Sequence, residues 1–250
     1  MKEKLKLING NNIYAVILAR SGSKTIKNKN LKLLQNKPLI FYCINEALKS
    51  KLISKVYFLT DSRRYAKIAH SFGAIIPFLR PKSISGDNSK DIETFKYFIN
   101  WLNKKQKKIP DTIVHLRATA PLVQSIDIDK AINIFLKNKN CDSLKSVNIS
   151  KDNPFKMWHL NKKGFIKPIL SLKKIKEPWN EPRQKLPKIL FQNAQVDIFK
   201  SNLLNKNTIS GKNIIPFLID NYIDIDDKFD LIKAEIILNS RNKNQKKEKK

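Results

Sequence analysis

The chain has 250 residues, 41% of them hydrophobic, a composition that suits one α/β domain with an embellishment and excludes a disordered or fibrous chain. Its two cysteines, Cys43 and Cys141, have neither the number nor the spacing of a disulfide framework or zinc site, no run approaches the roughly 20 apolar residues of a membrane span, and the start MKEKLKLINGNN lacks a secretory signal, so a cytoplasmic protein away from membranes is expected. The net charge of +29 attracts phosphate, yet the lysines are spread through every segment and no helix-turn-helix, zinc-finger or RNP pattern accompanies them, so nucleic acid is not expected as the main partner.

In chain order, residues 13–19 (IYAVILA) form a continuous, β-branched apolar run, the pattern of a strand covered on both faces. A basic loop, 20–30, follows. Pro38 then opens a helix in which Leu39, Cys43 and Ala47 repeat every four residues, flanked by Ile40, Ile44 and Leu48. Further along, 56–60 predicts a strand, 62–72 a helix closed by Gly73, and 74–78 a short strand. Asp91–Gln106 reads as a helix, Thr112–Arg117 as a strand, 128–136 as a helix and Ser143–Ile149 as a strand. Strands alternating with helices imply an α/β fold with a mostly parallel sheet, whose ligands lie beyond the carboxyl ends of the strands. That rule points to 20–30, Asp61, 80–91 and 117–123.

The rhythm breaks at 150–216, where most prolines cluster and short alternating pieces appear at 164–170 and 195–199, the pattern of a small β-rich insertion. Sheet-like sequence returns at 214–219 and 222–225, and 228–238 is a closing amphipathic helix. One domain is therefore expected over 1–240. The segment 241–250, RNKNQKKEKK, has no apolar residue and is expected to be a disordered basic tail.

The loop ARSGSKTIKNKN at 19–30 combines Gly22 and small serines with Arg20, Lys24, Lys27 and Lys29. Small residues let backbone N–H groups approach a polyphosphate, and the cations neutralise it, although a solvated basic loop reads the same way and neither GxxxxGK[ST] nor GxGxxG is present. His70, His115 and His159 have no His, Cys or Asp neighbours at metal-ligand spacing. In YIDIDD, Asp224 and Asp226 alternate with Ile223 and Ile225, so period 2 puts both carboxylates on one face; a polar edge strand capped by Asp227 has the same pattern.

The segment YAVILARSGSKTIKNKNLKLLQNKPLIFYCINEAL closely resembles the opening of bacterial acylneuraminate cytidylyltransferases, the CMP-sialic acid synthetases. Further stretches agree in order: LTDS at 59–62, FGAIIPFLRP at 72–81, GD at 86–87, LRATAPL at 116–122, NPFKMW at 153–158, PRQKLPK at 182–188, QNAQVDIF at 192–199 and IDIDDKFDLIKAE at 223–235. The resemblance implies a nucleotidyltransferase with a glycosyltransferase-A-like fold, Mg²⁺ dependence, and a homodimer formed through the insertion. It implies that CMP passes from CTP to the anomeric hydroxyl of a nonulosonic, sialic-acid-like sugar with release of pyrophosphate. The same chemistry on a 3-deoxy-octulosonate is the alternative, and a basic nucleic-acid-binding relative that lost catalysis is a rival from another class.

By position, the resemblance places Arg20, Ser23, Lys24, Lys29 and Asn30 around the CTP triphosphate, with Arg20 and Lys24 in catalytic roles, and Arg80 and Asp87 near cytosine and ribose. It places Arg117, Lys156, Arg183, Gln192 and Asn193 on the acidic sugar, where the planar fork of Arg183 suits a carboxylate, and gives Asp224 and Asp226 to the metal. The group that takes the hydroxyl proton is left open. Four residues depart from the family pattern: Ser21 in a Gly-type position, where a backbone φ above zero would strain it, and Ala118, Ala120 and Val123 where Pro, Ser and Arg are usual.

Overall fold

The computed structural model describes residues 12–22 and 26–247. Its elements are β1 (Ile13–Leu18), β2 (Leu33–Leu34), β3 (Lys37–Pro38), α1 (Leu39–Lys49), β4 (Lys55–Leu59), α2 (Arg63–Ser71), α3 (Asp91–Gln106), β5 (Thr112–Arg117), α4 (Ser125–Lys137), β6 (Ser143–Ile149), β7 (Trp158–Leu160), β8 (Ile166–Pro168), β9 (Leu190–Lys200), β10 (Ile214–Leu218) and α5 (Lys228–Lys247). Six strands form the central sheet in the order β10-β6-β9-β5-β1-β4. The pairs β1–β4, β1–β5 and β10–β6 are parallel, and β9 runs antiparallel to both of its neighbours, so only β9 opposes the common direction.

Burial on both faces explains why β1 is apolar throughout. Ile13, Ala15 and Ile17 enter a core with Ile40, Cys43, Ile44 and Ala47 of α1 and Ile128, Ala131 and Ile132 of α4, while Tyr14 and Val16 enter a second core with Phe95, Phe98 and Leu102 of α3. Each large side chain so buried contributes about 1.5–3 kcal/mol. A third cluster, Leu34, Leu39, Leu122, Ile223, Ile225 and Ala234, ties the β2–β3 hairpin and α5 to the top of the sheet. Both cysteines are buried, and burial pushes the Cys43 thiol up to about 12, which makes it inert.

Helix α2 begins at Ser62, whose hydroxyl accepts from the Tyr65 N–H, and the chain leaves it through Gly73 at φ 94°. A Cβ at Gly73 would sit 3.0 Å from Leu48 Cδ1, the movable tip of a partly exposed side chain, so the demand for glycine comes from its dihedral.

Several sequence expectations shift. Instead of a strand, 74–78 makes one isolated parallel bridge to β4, Ile75 to Tyr57, followed by another from Leu79 to Thr60 just after β4, because Pro77 has no N–H for a continuous ladder. Segment 222–225 follows an alternating in–out course, with Ile223 and Ile225 buried and Asp224 exposed, but without a strand neighbour. Strands β9 and β10 belong to the central sheet, so the part that stands apart from it is 150–189, not 150–216; the apolar residues at 196–199 are buried there between two neighbours. Helix α5 continues to Lys247, well past Ser240, since Lys, Arg and Gln are good helix formers and no Gly or Pro stops them. Most of the expected disordered tail is thus helical, and 248–250 lie outside the described residues. Among the described residues no helix is long and apolar enough to cross a membrane.

Candidate active site

An open cleft of about 470 Å³ lies at the carboxyl ends of β1 and β5. Its walls come from three segments that each leave a strand or enter a helix: Leu18–Arg20 with Lys29 and Asn30; Arg80 and Gly86–Asp91; and Arg117–Thr119, closed by Asp226. Backbone hydrogen bonds fix these segments to one another: Ala19 N to Leu59 O at 3.1 Å, Arg80 N to Thr60 O at 2.8 Å and Ile225 N to Thr119 O at 3.0 Å. A larger depression of about 790 Å³ lies at the opposite end of the sheet, around 137–141 and 212–215, and its lining contains no acidic residue. Parallel sheets place chemistry at the carboxyl end, and only the first cleft combines cations with carboxylates there.

Four cations line that cleft. Arg20 pairs with Asp87, Lys29 Nζ with Asp226 Oδ1 at 2.8 Å, and Arg117 Nη1 with Asp91 Oδ2 at 2.8 Å. The Arg80 side chain donates to the carbonyl of Ile84, and its Nε, buried, has no partner among the described residues. Burial pulls the Arg80 guanidinium below its ordinary value, while Asp61 and Asp91 pull it back up. Partly exposed ion pairs of this kind are worth about 0.2–1 kcal/mol, so a polyphosphate displaces such carboxylates from their cations at small cost.

Ser21 is a finding that sequence reasoning missed. It does not occupy the left-handed region, and neither does Gly22, so the strain expected at a Gly-type position is absent. Instead the Ser21 N–H donates to Asp61 Oδ1 at 2.8 Å and its hydroxyl to Asp61 Oδ2 at 2.9 Å, a two-point clamp between the loop after β1 and the end of β4. The rule that ligands gather at strand ends had singled out Asp61 by position; nothing in the pattern gave it a partner. Asn30, 7% exposed, donates to the Arg20 carbonyl at 3.2 Å and so braces the same loop from behind. Asp91, expected as the start of a helix and as the end of the ligand-side segment 80–91, is the carboxylate that holds Arg117.

Of the residues assigned by resemblance, the structure therefore brings together Arg20, Lys29, Asn30, Arg80, Asp87, Arg117 and Asp226. Ser23 and Lys24 lie outside the described residues. Lys156, Arg183, Gln192 and Asn193 do not line the cleft. Lys156 Nζ donates to the Trp179 carbonyl at 3.0 Å inside the inserted lobe, and Arg183 is exposed on a short 3₁₀ turn of the same lobe. Asn193, buried, donates to the Ile219 carbonyl at 3.3 Å, and Gln192, exposed, donates to Asp197 at 3.0 Å. Because β9 is antiparallel, Gln192 and Asn193 nonetheless arrive at the carboxyl end of β6, on the same end of the sheet as the cleft.

A divalent cation of the hard, oxygen-binding kind fits this donor set. The Asp226 side chain is 72% exposed at the mouth of the cleft, with Asp87 and Asp91 also on its lining. Among the described residues no three His, Cys, Asp or Glu side chains form a cage. One or two carboxylates completed by phosphate oxygens and water is the mode Mg²⁺ prefers. Asp224 is exposed but does not line the cleft. Asp227 caps α5: its carboxylate accepts from the Asp230 N–H at 2.9 Å and Asp230 accepts from the Asp227 N–H at 3.1 Å, a reciprocal pair that leaves Asp226 as the cleft carboxylate.

Comparison with known proteins agrees with this geometry. The chain is similar to the CMP-N,N'-diacetyllegionaminic acid synthase of Campylobacter jejuni, with 30% identity over 233 residues that cover 92% of this chain and 96% of that protein. It is equally similar, over the same shares of both chains, to the post-translational flagellin modification protein B of Campylobacter coli. The N-acylneuraminate cytidylyltransferase of Escherichia coli is 36% identical over 123 residues, covering 49% of this chain and 28% of that longer protein. Among solved structures, CMP:2-keto-3-deoxy-manno-octonic acid synthetase complexed with CTP superposes with a TM-score of 0.67 at 15% identity, over 92% of this chain and 99% of that one, which establishes the shared fold. The family model described as cytidylyltransferase matches residues 14–234, and the chain belongs to the cytidylyltransferase family.

Proposed function

We propose that this cytidylyltransferase transfers CMP from CTP to the anomeric hydroxyl of a nonulosonic acidic sugar of the sialic, legionaminic or pseudaminic type. The observation that carries the reading is the cleft with four cations at the strand ends, in a chain that matches a CMP-nonulosonic acid synthase over 92% of its length. The sugar oxygen forms a bond to the α-phosphorus, the bond from that phosphorus to the bridging oxygen breaks, and pyrophosphate leaves with the electron pair; the hydroxyl proton passes to solvent or to an acceptor in the cleft. Such chemistry needs positioning and charge neutralisation more than covalent help from the protein.

In this reading Arg20, Lys29 and the neighbouring Ser23 and Lys24 bind the triphosphate, and Asn30 braces the loop that carries them. Arg80 and Asp87 flank the nucleoside. Arg117, at the end of β5, faces the sugar. Asp226, with Asp224 two residues before it, would hold Mg²⁺, which when bound would offset charge on the phosphate oxygens. The lobe at 150–189 supports a homodimer: Trp158, Leu160, Phe165, Ile166 and Ile169 are 38–68% exposed on it, a patch that a second copy of the chain would cover. That pairing would bring Lys156 and Arg183 of one protomer toward a sugar site.

Pyrophosphate release with CTP, Mg²⁺ and a panel of acidic sugars tests the function. Turnover of at least one nonulosonic acid, faster than of an octulosonate, is expected. Thermal shift with each of the four nucleotides tests the donor, because a ligand at 100 times its Kd stabilises by about 2.7 kcal/mol. Equal shifts from ATP, GTP, UTP and CTP would remove CTP from the account.

A further inference from the structure

The segment 118–124 joins β5 to α4, and its first two residues, Ala118 and Thr119, stand beside Arg117 in the wall of the cleft. Ala118, Ala120, Leu122 and Val123 are buried and apolar, so the place of this loop depends on what its backbone groups meet. Two of its carbonyls are taken by α5 and the residues that lead into it. The Ile225 N–H donates to the Thr119 carbonyl at 3.0 Å, and Arg241 Nη1 donates to the Leu122 carbonyl at 2.8 Å.

Arg241 opens the run RNKNQKKEKK, which has no apolar residue and so no packing reason to touch the domain, yet its guanidinium is part-buried against the loop. Burial lowers its basicity, while Asp127 of α4 and Glu46 of α1 raise it again, so both carboxylates act on this cation. Glu46 Oε2 also accepts from the Ser125 N–H at 2.9 Å, where the loop enters α4. Arginine suits such a place: it stays charged when part-buried, its planar fork serves a carbonyl beside carboxylates, and its stem lies along apolar surface. We propose that Arg241 is a positioning residue that holds the β5–α4 loop from behind and thereby fixes Arg117, Ala118 and Thr119 on the acceptor side of the cleft. The start of the same helix follows directly on Asp226, so α5 is a strut between that corner of the cleft and the wall at the end of β5. The inference rests on the proposed function for the acceptor, and on the geometry alone for the loop.

The test compares Arg241→Met, which keeps the stem and removes the donors, with Arg241→Lys, which keeps a charged donor, both in the full chain with the fold confirmed by circular dichroism. The first readout is hydrogen exchange at the amides of Ala120 and Ile225, whose bonds end on the Arg117 and Thr119 carbonyls. In Arg241→Met both exchange about tenfold faster, as expected for the loss of one charge-assisted hydrogen bond, while the amides of β1 are unmoved. The second readout is kinetic. At saturating CTP the KM for a turned-over nonulosonic acid rises about tenfold, with kcat and the KM for CTP held within about twofold, and Arg241→Lys brings both readouts back to within about threefold of the wild type. A role in overall stability alone would lower the unfolding midpoint and leave the acceptor KM where it is. Unchanged exchange at Ala120 and Ile225 in Arg241→Met, or an acceptor KM that does not rise with it, overturns the inference. Should Arg241→Met not fold, Arg241→Lys carries the test: exchange and acceptor KM rise together, and movement of one without the other overturns it. A wild-type chain that turns over no acidic sugar overturns the proposed function and the acceptor half of this inference, while the exchange rates still decide whether Arg241 holds the loop.

Discussion

Ser21 and Asp61 offer a direct measure of how the loop after β1 is held for its nucleotide. Two hydrogen bonds from Ser21, one from the backbone and one from the hydroxyl, end on the same carboxylate at 2.8 and 2.9 Å. Hydrogen bonds to a charged group contribute about 1.5–3 kcal/mol, and the partial exposure of Ser21 and Asp61 puts each of these near the lower end. Ser21→Ala removes only the hydroxyl bond. If loop order is required for the triphosphate to bind, about 1.4 kcal/mol is lost and the Kd for CTP rises roughly tenfold. Asp61→Ala removes both bonds, about 3 kcal/mol, and raises the Kd roughly a hundredfold or slightly more. Isothermal titration calorimetry of CTP into each variant, with circular dichroism to confirm the fold, reads these values. Wild-type CTP affinity in folded Asp61→Ala would refute the reasoning, because the loop would then be ordered by something other than its clamp.

Asp226→Asn is expected to keep the fold and much of the CTP affinity while losing at least about a hundredfold in kcat, a few kcal/mol of transition-state charge stabilisation; near-wild-type turnover would place the metal elsewhere. His115 is buried against Phe95 at a ring distance of 4.9 Å, and burial, Arg117 and Lys145 hold its basicity well below the ordinary value. Its unfolded form binds the proton first, so its contribution is present above about pH 6.5 and is lost as pH falls below that, at up to about 1.4 kcal/mol per pH unit. Denaturant midpoints from pH 7 to pH 5 should fall more steeply in the wild type than in His115→Leu, and parallel curves would count against it. Replacing Phe165 and Ile166 by serine should shift the mass seen by light scattering from twice 29.0 kDa to a single chain without lowering helix content, and a wild type that is already monomeric would dispose of the dimer.

How much could be read in the sequence follows physical range. Strands β1 and β5 and helix α3 were legible because each is specified by its own pattern, an apolar run buried on two faces or a 3.6-residue stripe. Strand β9 was legible only as a short alternating piece at 195–199 of an insertion, and not as a strand of the central sheet, because its polar residues Asn193, Gln195 and Asp197 are buried by tertiary partners that local pattern does not show. The same limit applies to the cleft. Arg20, Lys29, Arg80 and Arg117 could be picked out from strand ends and resemblance, but the clamp of Ser21 on Asp61 joins residues 40 apart and the Lys29–Asp226 pair residues 197 apart. Ser21 was read as strained because a serine in a glycine position suggests a lost dihedral; the folded chain uses its hydroxyl instead.

The reversed direction of β9 has a consequence for how such a protein can change. Strands β6 and β9 pair as a hairpin would, with Ile149 opposite Leu190 and the Ser150 N–H donating to the Ile189 carbonyl at 2.9 Å. The lobe between them therefore leaves and re-enters the sheet through adjacent doorways. A segment hung on neighbouring anchors can be lengthened, shortened or exchanged at a loop-closure cost that grows only as the logarithm of its length. The sheet that carries the nucleotide loop is left untouched by such an exchange. If the lobe carries acceptor contacts and subunit pairing as proposed, both can diverge by trading it as a cassette while nucleotide handling is inherited intact.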